Sequence, residues 1–437
     1  MGMRSGSVLR HVVAAALVVA GVAACADEPE APEPSASETS PHQTTEPETE
    51  ETTDPADATD PADASLPITW PDGSAIDVID VDVDSFEDRP LALEILRSVE
   101  WVPDQDPALL PLDIDDRGRV LAQISIPGSY DPGTQEYLST SPVAVWGADG
   151  LTQLGDTDSL LPGEPQRAAI AGALVGEAAL WTESHETNLG VPSEWRTFAQ
   201  SLGGGDPVLL AEGHETGELQ RFHIQLSAAL SHAVADGRLA WSYASEDEEG
   251  MISSHIVTVP VGGGDPEPLV ENAMSPAAVD TGWLAFRTGT GGTAREFFAQ
   301  TDALIHIAPD GSTRELLGVD LGSTRFAPTL LADGGRFALE IGDVFYAGEI
   351  DGDRVYRFTV PDGRRLDVGM ICGDRMVLAV SESEGAIAYL VDLTDGTAKE
   401  IRQGDDASMP QCGGGYLVWT DAVDAGSRYR TVVAQWQ

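Results

Sequence analysis

From about residue 110 to the C-terminus, apolar residues fall into short runs separated by Gly, Asp and Pro, and helical spacing nearly vanishes. Two patterns alternate. In the first, a turn leads into an apolar strand: Asp236-Gly237-Arg238-Leu239-Ala240-Trp241 and then Thr281-Gly282-Trp283-Leu284-Ala285-Phe286. It recurs in Gly176 to Trp181, Asp333 to Leu339, Cys372 to Val380 and Cys412 to Trp419, with a weaker copy from Asp116 to Ile124. In the second, two short strands flank a tight turn, as in Ser201-Leu202-Gly203-Gly204-Gly205-Asp206-Pro207-Val208 and Pro260-Val261-Gly262-Gly263-Gly264-Asp265-Pro266. Ala148-Asp149-Gly150, Pro309-Asp310-Gly311, Pro361-Asp362-Gly363 and Thr394-Asp395-Gly396 are simpler copies. Asp-Gly and Gly-Gly supply the positive φ angles that two-residue hairpin turns require.

The units repeat roughly every 40 to 60 residues, with about four short strands each, which is the period of a β-propeller. An isolated blade cannot bury both faces of its sheet, so each must pack on its neighbours in a ring. Counting from about residue 110 gives seven blades, with six or eight left open. The expected fold is therefore all-β, a propeller of about seven four-stranded blades. The last unit, from about Met409 to Gln437, supplies only three strands. A strand from Ala75 to Asp84 or from Leu91 to Val102 would complete it and close the ring without an exposed sheet edge. Arg196-Thr197-Phe198-Ala199-Gln200 echoes Arg430-Thr431-Val432-Val433-Ala434-Gln435, a further sign of duplication.

The N-terminus follows another logic. Arg4 and Arg10 precede a run from Val12 to Ala24 that is wholly apolar or Gly, and Val22-Ala23-Ala24-Cys25 ends it. A basic start, a short apolar core and a small-residue cleavage site make a secretory signal. The run is shorter than the roughly 20 residues of a membrane-spanning helix. Its ending resembles the lipobox of bacterial lipoproteins, which implies acylation of Cys25; an ordinary cleaved signal containing Cys25 is the alternative. Between Ala26 and Ser65 there are 13 acidic residues and no Lys or Arg, in a stretch rich in Pro, Thr, Ser and Ala. Such a stretch cannot offset its ordering entropy by burial. It reads as a disordered tether with a root-mean-square span on the order of 35 Å. The expected organisation is a lipoprotein signal peptide over residues 1–24, a tether over 25–65 and a propeller over 66–437, exported and anchored by lipid to the outer face of the cell membrane.

The chain of 437 residues carries 73 acidic and 24 basic side chains, a formal charge of −49, and Lys399 is its only lysine. Most of that excess lies beyond the tether. Such a surface disfavours nucleic acid and direct adsorption to anionic lipid, so the expected membrane contact is the anchor alone.

The repeated hairpins in an exported chain resemble the TolB-like and related WD-repeat-like propellers over most of Leu66 to Gln437. The resemblance implies architecture and leaves function open, because propellers host scaffolds, lactonases, quinoproteins and peptidase-associated domains alike.

Candidate chemistry is sparse. Cys372 and Cys412 stand at equivalent positions of neighbouring repeats, in an exported and therefore oxidising setting. A disulfide joining the last two blades is expected, two buried free thiols being the alternative. Asp80, Asp82 and Asp84 alternate as on one strand face, but Ser85 and Leu91 stand where a calcium loop needs Gly and Glu. A solvated strand face is the expectation. The eight histidines, His223, His232, His255 and His306 among them, show no metal spacing. Trp181, Trp241, Phe286 and Trp419 share one repeat position and read as core. No HExxH, G-x-S-x-G, Walker or dinucleotide motif occurs. No catalytic residues, metal or cofactor are therefore expected. The reading is a non-enzymatic binding scaffold for an envelope protein, peptide or glycan, with a hydrolase- or lactonase-type enzyme using a channel carboxylate or metal as the alternative.

Overall fold

A computed structural model of the chain describes residues 66–437 except 132–135, 186–194, 214–231, 248, 292–293, 322–328, 343, 361–363, 383–384, 405–407 and 425–426. Cys25, the expected signal and tether, His223 and the Pro361-Asp362-Gly363 turn lie outside the described residues.

Seven sheets, each with an antiparallel four-stranded core, form seven blades of a β-propeller. The blades begin at strands Ala108–Ile114, Ala168–Val175, Ala233–Ala235, Ala273–Val279, Leu330–Asp333, Arg365–Cys372 and Gln411–Gly413. From the third blade through the seventh and on to the second, these first strands neighbour one another around the axis, the seventh blade's meeting the first blade's. From Ala108 onward, chain order within each blade runs outward.

Each apolar run expected from the sequence is a second strand, sandwiched between two neighbouring blades. That explains why it reads as a continuous apolar run instead of an alternation: both faces are covered. Trp283, Leu284, Ala285 and Phe286 are fully buried, as are Met376, Val377 and Leu378. The recurrent aromatic fills the space between blades. Trp181 packs with Leu121 of the first blade, Trp241 with Leu180 of the second, and Trp419 with Val377 of the sixth. The fourth blade departs from the expected repeat position: its hairpin register sets Phe286 one residue further on, facing Phe337 and Leu339 of the fifth blade, while Trp283 packs with Ile256 of the third. Trp283 also donates its Nε1–H to the Ala233 carbonyl at 2.9 Å. The turns between first and second strands are tight. Asp236 and Gly237 both have positive φ, 49° and 68°, as a type I′ turn demands. Gly282 has no alternative: a Cβ there would stand 2.1 Å from the Ile307 carbonyl oxygen.

Strand β1 (Ile68–Thr69) lies antiparallel on the fourth blade's outer strand, with Ile68 opposite Val319. β2 (Asp77–Asp82) adds in parallel to Arg354–Thr359 of the fifth, and β3 (Glu87–Pro90) in parallel to Ala398–Gly404 of the sixth. Those three blades therefore have five strands, where four were expected. β4 (Leu93–Trp101) pairs antiparallel with Arg428–Trp436 and completes the seventh blade, so of the two closing candidates the later one closes the ring. The earlier one is β2, held elsewhere by charge: Asp80 pairs with Arg357, and Asp84, in the short 3-10 turn that follows, pairs with Arg364.

The connections are asymmetric. First-to-second and third-to-fourth strand turns share one face and are short, such as Val175 to Ala178 and Gly147 to Gly150. On the other face the chain runs from Ser125 to Val143 through a small hairpin (Tyr130–Asp131 with Glu136–Tyr137), from Gln153 to Ala168, and from Arg287 to Ala303 through helix α1 (Ala294–Ala299).

Candidate functional site

The first strands place carboxylates at the tight-turn face of the channel. Asp113 ends the first blade's innermost strand with 9% of its surface exposed, and its Oδ2 accepts the Leu174 N–H of the second blade at 2.6 Å. Burial pushes its carboxyl up to about 7, against the hydrogen bonds from the Leu174 and Ile114 backbone and with help from the charges of Asp115 and Asp333. Asp333, still reached by solvent at the end of the fifth blade's first strand, accepts the Gly373 N–H of the sixth at 2.6 Å. Partial desolvation and then Asp280 shift it upward. An innermost strand has no partner on its channel side, so its N–H groups need another acceptor. Asp113 satisfies one such group on the following blade, and Asp333 accepts from the first turn residue after the following blade's innermost strand. Among the described residues, no group of three or more His, Cys, Asp or Glu could hold a metal ion.

The loop-bearing face is underlain by a buried polar network between the first two blades. Glu183, two residues beyond Trp181 and on the same strand face, is 2% exposed. It accepts the Trp181 Nε1–H at 2.8 Å and the Arg167 Nε–H at 3.0 Å, and Thr157 Oγ1 lies 2.9 Å from both its oxygens. Arg167, 1% exposed, also donates to Asp158 and to the Pro165 carbonyl. Thr157, Asp158, Pro165 and Arg167 all belong to the connection between Gln153 and Ala168, so the network ties that connection to the blade beneath it. An ion pair this deep is tolerated only because the carboxylate's remaining acceptor sites are filled. Next to it, Thr182 Oγ1 lies 2.7 Å from Thr197 Oγ1 and 3.1 Å from His232 Nε2. Enclosure pushes the His232 imidazole down to about 4, leaving it neutral. Thr420 and Thr431 form the equivalent hydroxyl pair in the seventh blade, so the Arg-Thr echo marks one structural position on two third strands.

The remaining residues singled out in the sequence are scattered. Cys372 and Cys412 are bonded, with Cα atoms 5.9 Å apart, linking the innermost strands of the sixth and seventh blades. His255 lies 2.8 Å from Ser245 Oγ, and His306 lies 2.8 Å from Thr281 Oγ1, in separate blades. Trp181, Trp241, Phe286 and Trp419 are all buried. Sequence reasoning missed Asp113, Arg167 and Glu183. Only Glu183 left a signal, since a buried indole N–H needs an acceptor and the residue two positions on shares its face.

No protein-family model matches the sequence, and neither does any curated protein. Among solved structures, a prolyl endopeptidase matches at 11% identity and a TM-score of 0.48, over 77% of this chain and 50% of its own. An oligogalacturonate lyase in complex with manganese matches at 11% identity and a TM-score of 0.44, over 80% of this chain and 97% of its own. Prolyl oligopeptidase B from Galerina marginata matches at 10% identity and a TM-score of 0.41, over 77% and 48%. The chain thus spans about half the length of the two peptidases. At these identities and scores the similarities carry no argument about activity.

Proposed function

We propose that the protein is a binding scaffold of the cell envelope, exported, lipid-anchored through Cys25, and presenting a rigid propeller to a protein, peptide or glycan. The observation that carries this reading is the asymmetry of the two faces. One face consists of tight turns; the other bears the long connections, and the Arg167–Glu183 network holds at least one of them in place. Binding surfaces are commonly built from loops positioned by a rigid scaffold. The channel carboxylates Asp113 and Asp333 support the same reading, since their geometry is spent on backbone N–H groups of neighbouring blades. The anchor rests on Arg4, Arg10 and the run ending at Cys25, and a TolB-like kinship rests on the hairpin pattern.

The test is a crosslinking pull-down from intact cells, comparing the full-length protein with a version ending at Ser65. A partner recovered only with the propeller is the expected result. Recovery of nothing above the shorter version, or turnover of a generic ester, lactone, peptide or glycoside, would overturn the scaffold. One observation favours the enzymatic alternative: a carboxyl raised to about 7, as at Asp113, suits a general acid. That reading requires turnover that is abolished in Asp113→Asn.

A further inference from the structure

The outer edges of the blades differ in how they are finished. In the fourth, fifth and sixth blades, β1, β2 and β3 add a fifth strand to the outermost one. β2 shows how such an addition is held. Its Val81 is buried in one apolar cluster with Phe358, while Asp80 pairs with Arg357 at the surface. The first three blades end in short strands: Gly150–Gln153, Val208–Glu212 and Glu267–Glu271, the last containing Pro268. A proline lacks the N–H that an added strand would use.

The seventh blade has neither protection. β4 has nine residues and pairs on one side only among the described residues. Ile95, Leu96 and Val99 on it are 58%, 39% and 37% exposed. The register with Arg428–Trp436 shifts at Leu96, leaving an unbroken ladder from Arg97 to Trp101. Val99 lies opposite Thr431, whose hydroxyl donates to the first blade at Leu109; Ile95 lies opposite Ala434, which packs toward the sixth. The strand therefore exposes an apolar side chain on each of its faces. Beyond that shift and its charged residues, the five-residue ladder from Arg97 to Trp101 is not covered by a further strand among the described residues, and strand addition to such an edge is a standard mode of peptide recognition.

Charge selects the occupant. The Arg97 guanidinium is already committed to the Gly118 and Trp146 carbonyls and lies 5.2 Å from the Trp146 ring centroid. Glu94 is exposed with no cation beside it among the described residues. The whole chain is strongly acidic, so a second copy of it would meet like charge. We propose that the free edge of β4 docks an extended cationic peptide segment of a partner protein, which adds to the seventh blade as a fifth strand. Its backbone pairs with β4, its apolar side chains cover Ile95 and Val99, and its Lys or Arg side chains face Glu94. This rests on the scaffold reading and names both the surface and the partner class.

The experiment measures fluorescence anisotropy of full-length protein with a labelled ten-residue peptide in which pairs of valines and pairs of lysines succeed one another, so that both residue types occur on both strand faces. A second probe has the same sequence and charge but backbone N-methylation at alternate residues, which removes strand pairing. The first probe is expected to bind at least ten-fold tighter than the second. The double variant Ile95→Gln/Val99→Gln, checked for an unchanged thermal midpoint, is expected to weaken the first probe at least ten-fold. Equal binding of the two probes would mean adsorption by charge and would overturn the proposal. So would absence of binding, binding indifferent to the double variant, or a self-association of the free protein that the double variant abolishes. A pull-down partner that needs the propeller, without peptide binding at β4, sinks this proposal while leaving the scaffold standing.

Discussion

Asp113 and His232 are displaced in opposite senses by one cause, since burial disfavours the charged form of each. An unfolded aspartate titrates near 3.9, whereas Asp113 in the fold titrates at about 7. Between these values the native state keeps a proton that the unfolded chain has lost. Its contribution to stability is complete below about 4 and disappears as pH rises through 7, a change of up to roughly 4 kcal/mol. His232 runs the other way, from 6.5 unfolded to about 4 folded. Its contribution is complete above 6.5 and is lost as pH falls through 4, up to roughly 3 kcal/mol. In the wild type the two slopes offset each other between about 4 and 6.5. Asp113→Asn keeps an oxygen for the Leu174 N–H and removes the ionisation. Urea midpoints are expected to converge for wild type and variant as pH falls to about 4, and the variant is expected to be the more stable at pH 8. Parallel curves from pH 5 to 8 would show that Asp113 is not held neutral. None of this was legible in Leu112-Asp113-Ile114. The ladder shifts register between Pro111 and Asp113, so alternation does not tell which side chain is enclosed against the next blade.

The hairpin is the element most legible in the sequence. Its turn residues carry their own conformational requirement, and its second strand carries an apolar run that only a two-sided core explains. The N-terminal strands were harder to assign. Asp77 to Asp84 has a strand's alternation, yet the residue that fixes its place is Arg357, 277 positions from Asp80 along the chain. Long-range charge pairing leaves no local trace. Equivalent positions in adjacent repeats do leave one, and Cys372 and Cys412 lie in neighbouring innermost strands at a sequence separation of 40. A cross-link over that separation contributes about 4 kcal/mol in the chain-entropy model. Thiol titration of the denatured protein is expected to find two more reactive groups after reduction than before. Cys372→Ser/Cys412→Ser is expected to lower stability by about 2–4 kcal/mol in urea unfolding. Equal thiol counts before and after reduction would remove the cross-link and the stability argument with it.

At the scale of the whole molecule, a ring is a repeat array whose ends must meet, and here the meeting is made by β4. The period of the repeats and the missing fourth strand of the last unit were enough to expect such a closure. Which face bears the long connections was hidden, because connection lengths acquire a side only once strand order is known. The convergence of Asp113 and Asp333 was hidden too, since they come from the first and fifth blades. Closure makes a sharp distinction between two truncations. A chain beginning at Leu91 lacks β1, β2 and β3 but keeps β4, so it uncovers three outer edges and leaves the ring intact. A chain beginning at Asp104 also loses β4. It exposes the edge of Arg428–Trp436, unstacks Trp101 from Tyr429, whose rings are 4.9 Å apart, and takes Arg97 from between the seventh and first blades. Blades in a ring depend on both neighbours, so a gap at one junction weakens the array beyond the strand removed. The shorter truncation is expected to unfold cooperatively at a modestly reduced urea midpoint. The longer one is expected to lose its single cooperative transition and to regain it when a synthetic peptide spanning Leu91 to Val102 is added in excess. If both truncations unfold alike, the covered edges rather than the closed ring hold the propeller together.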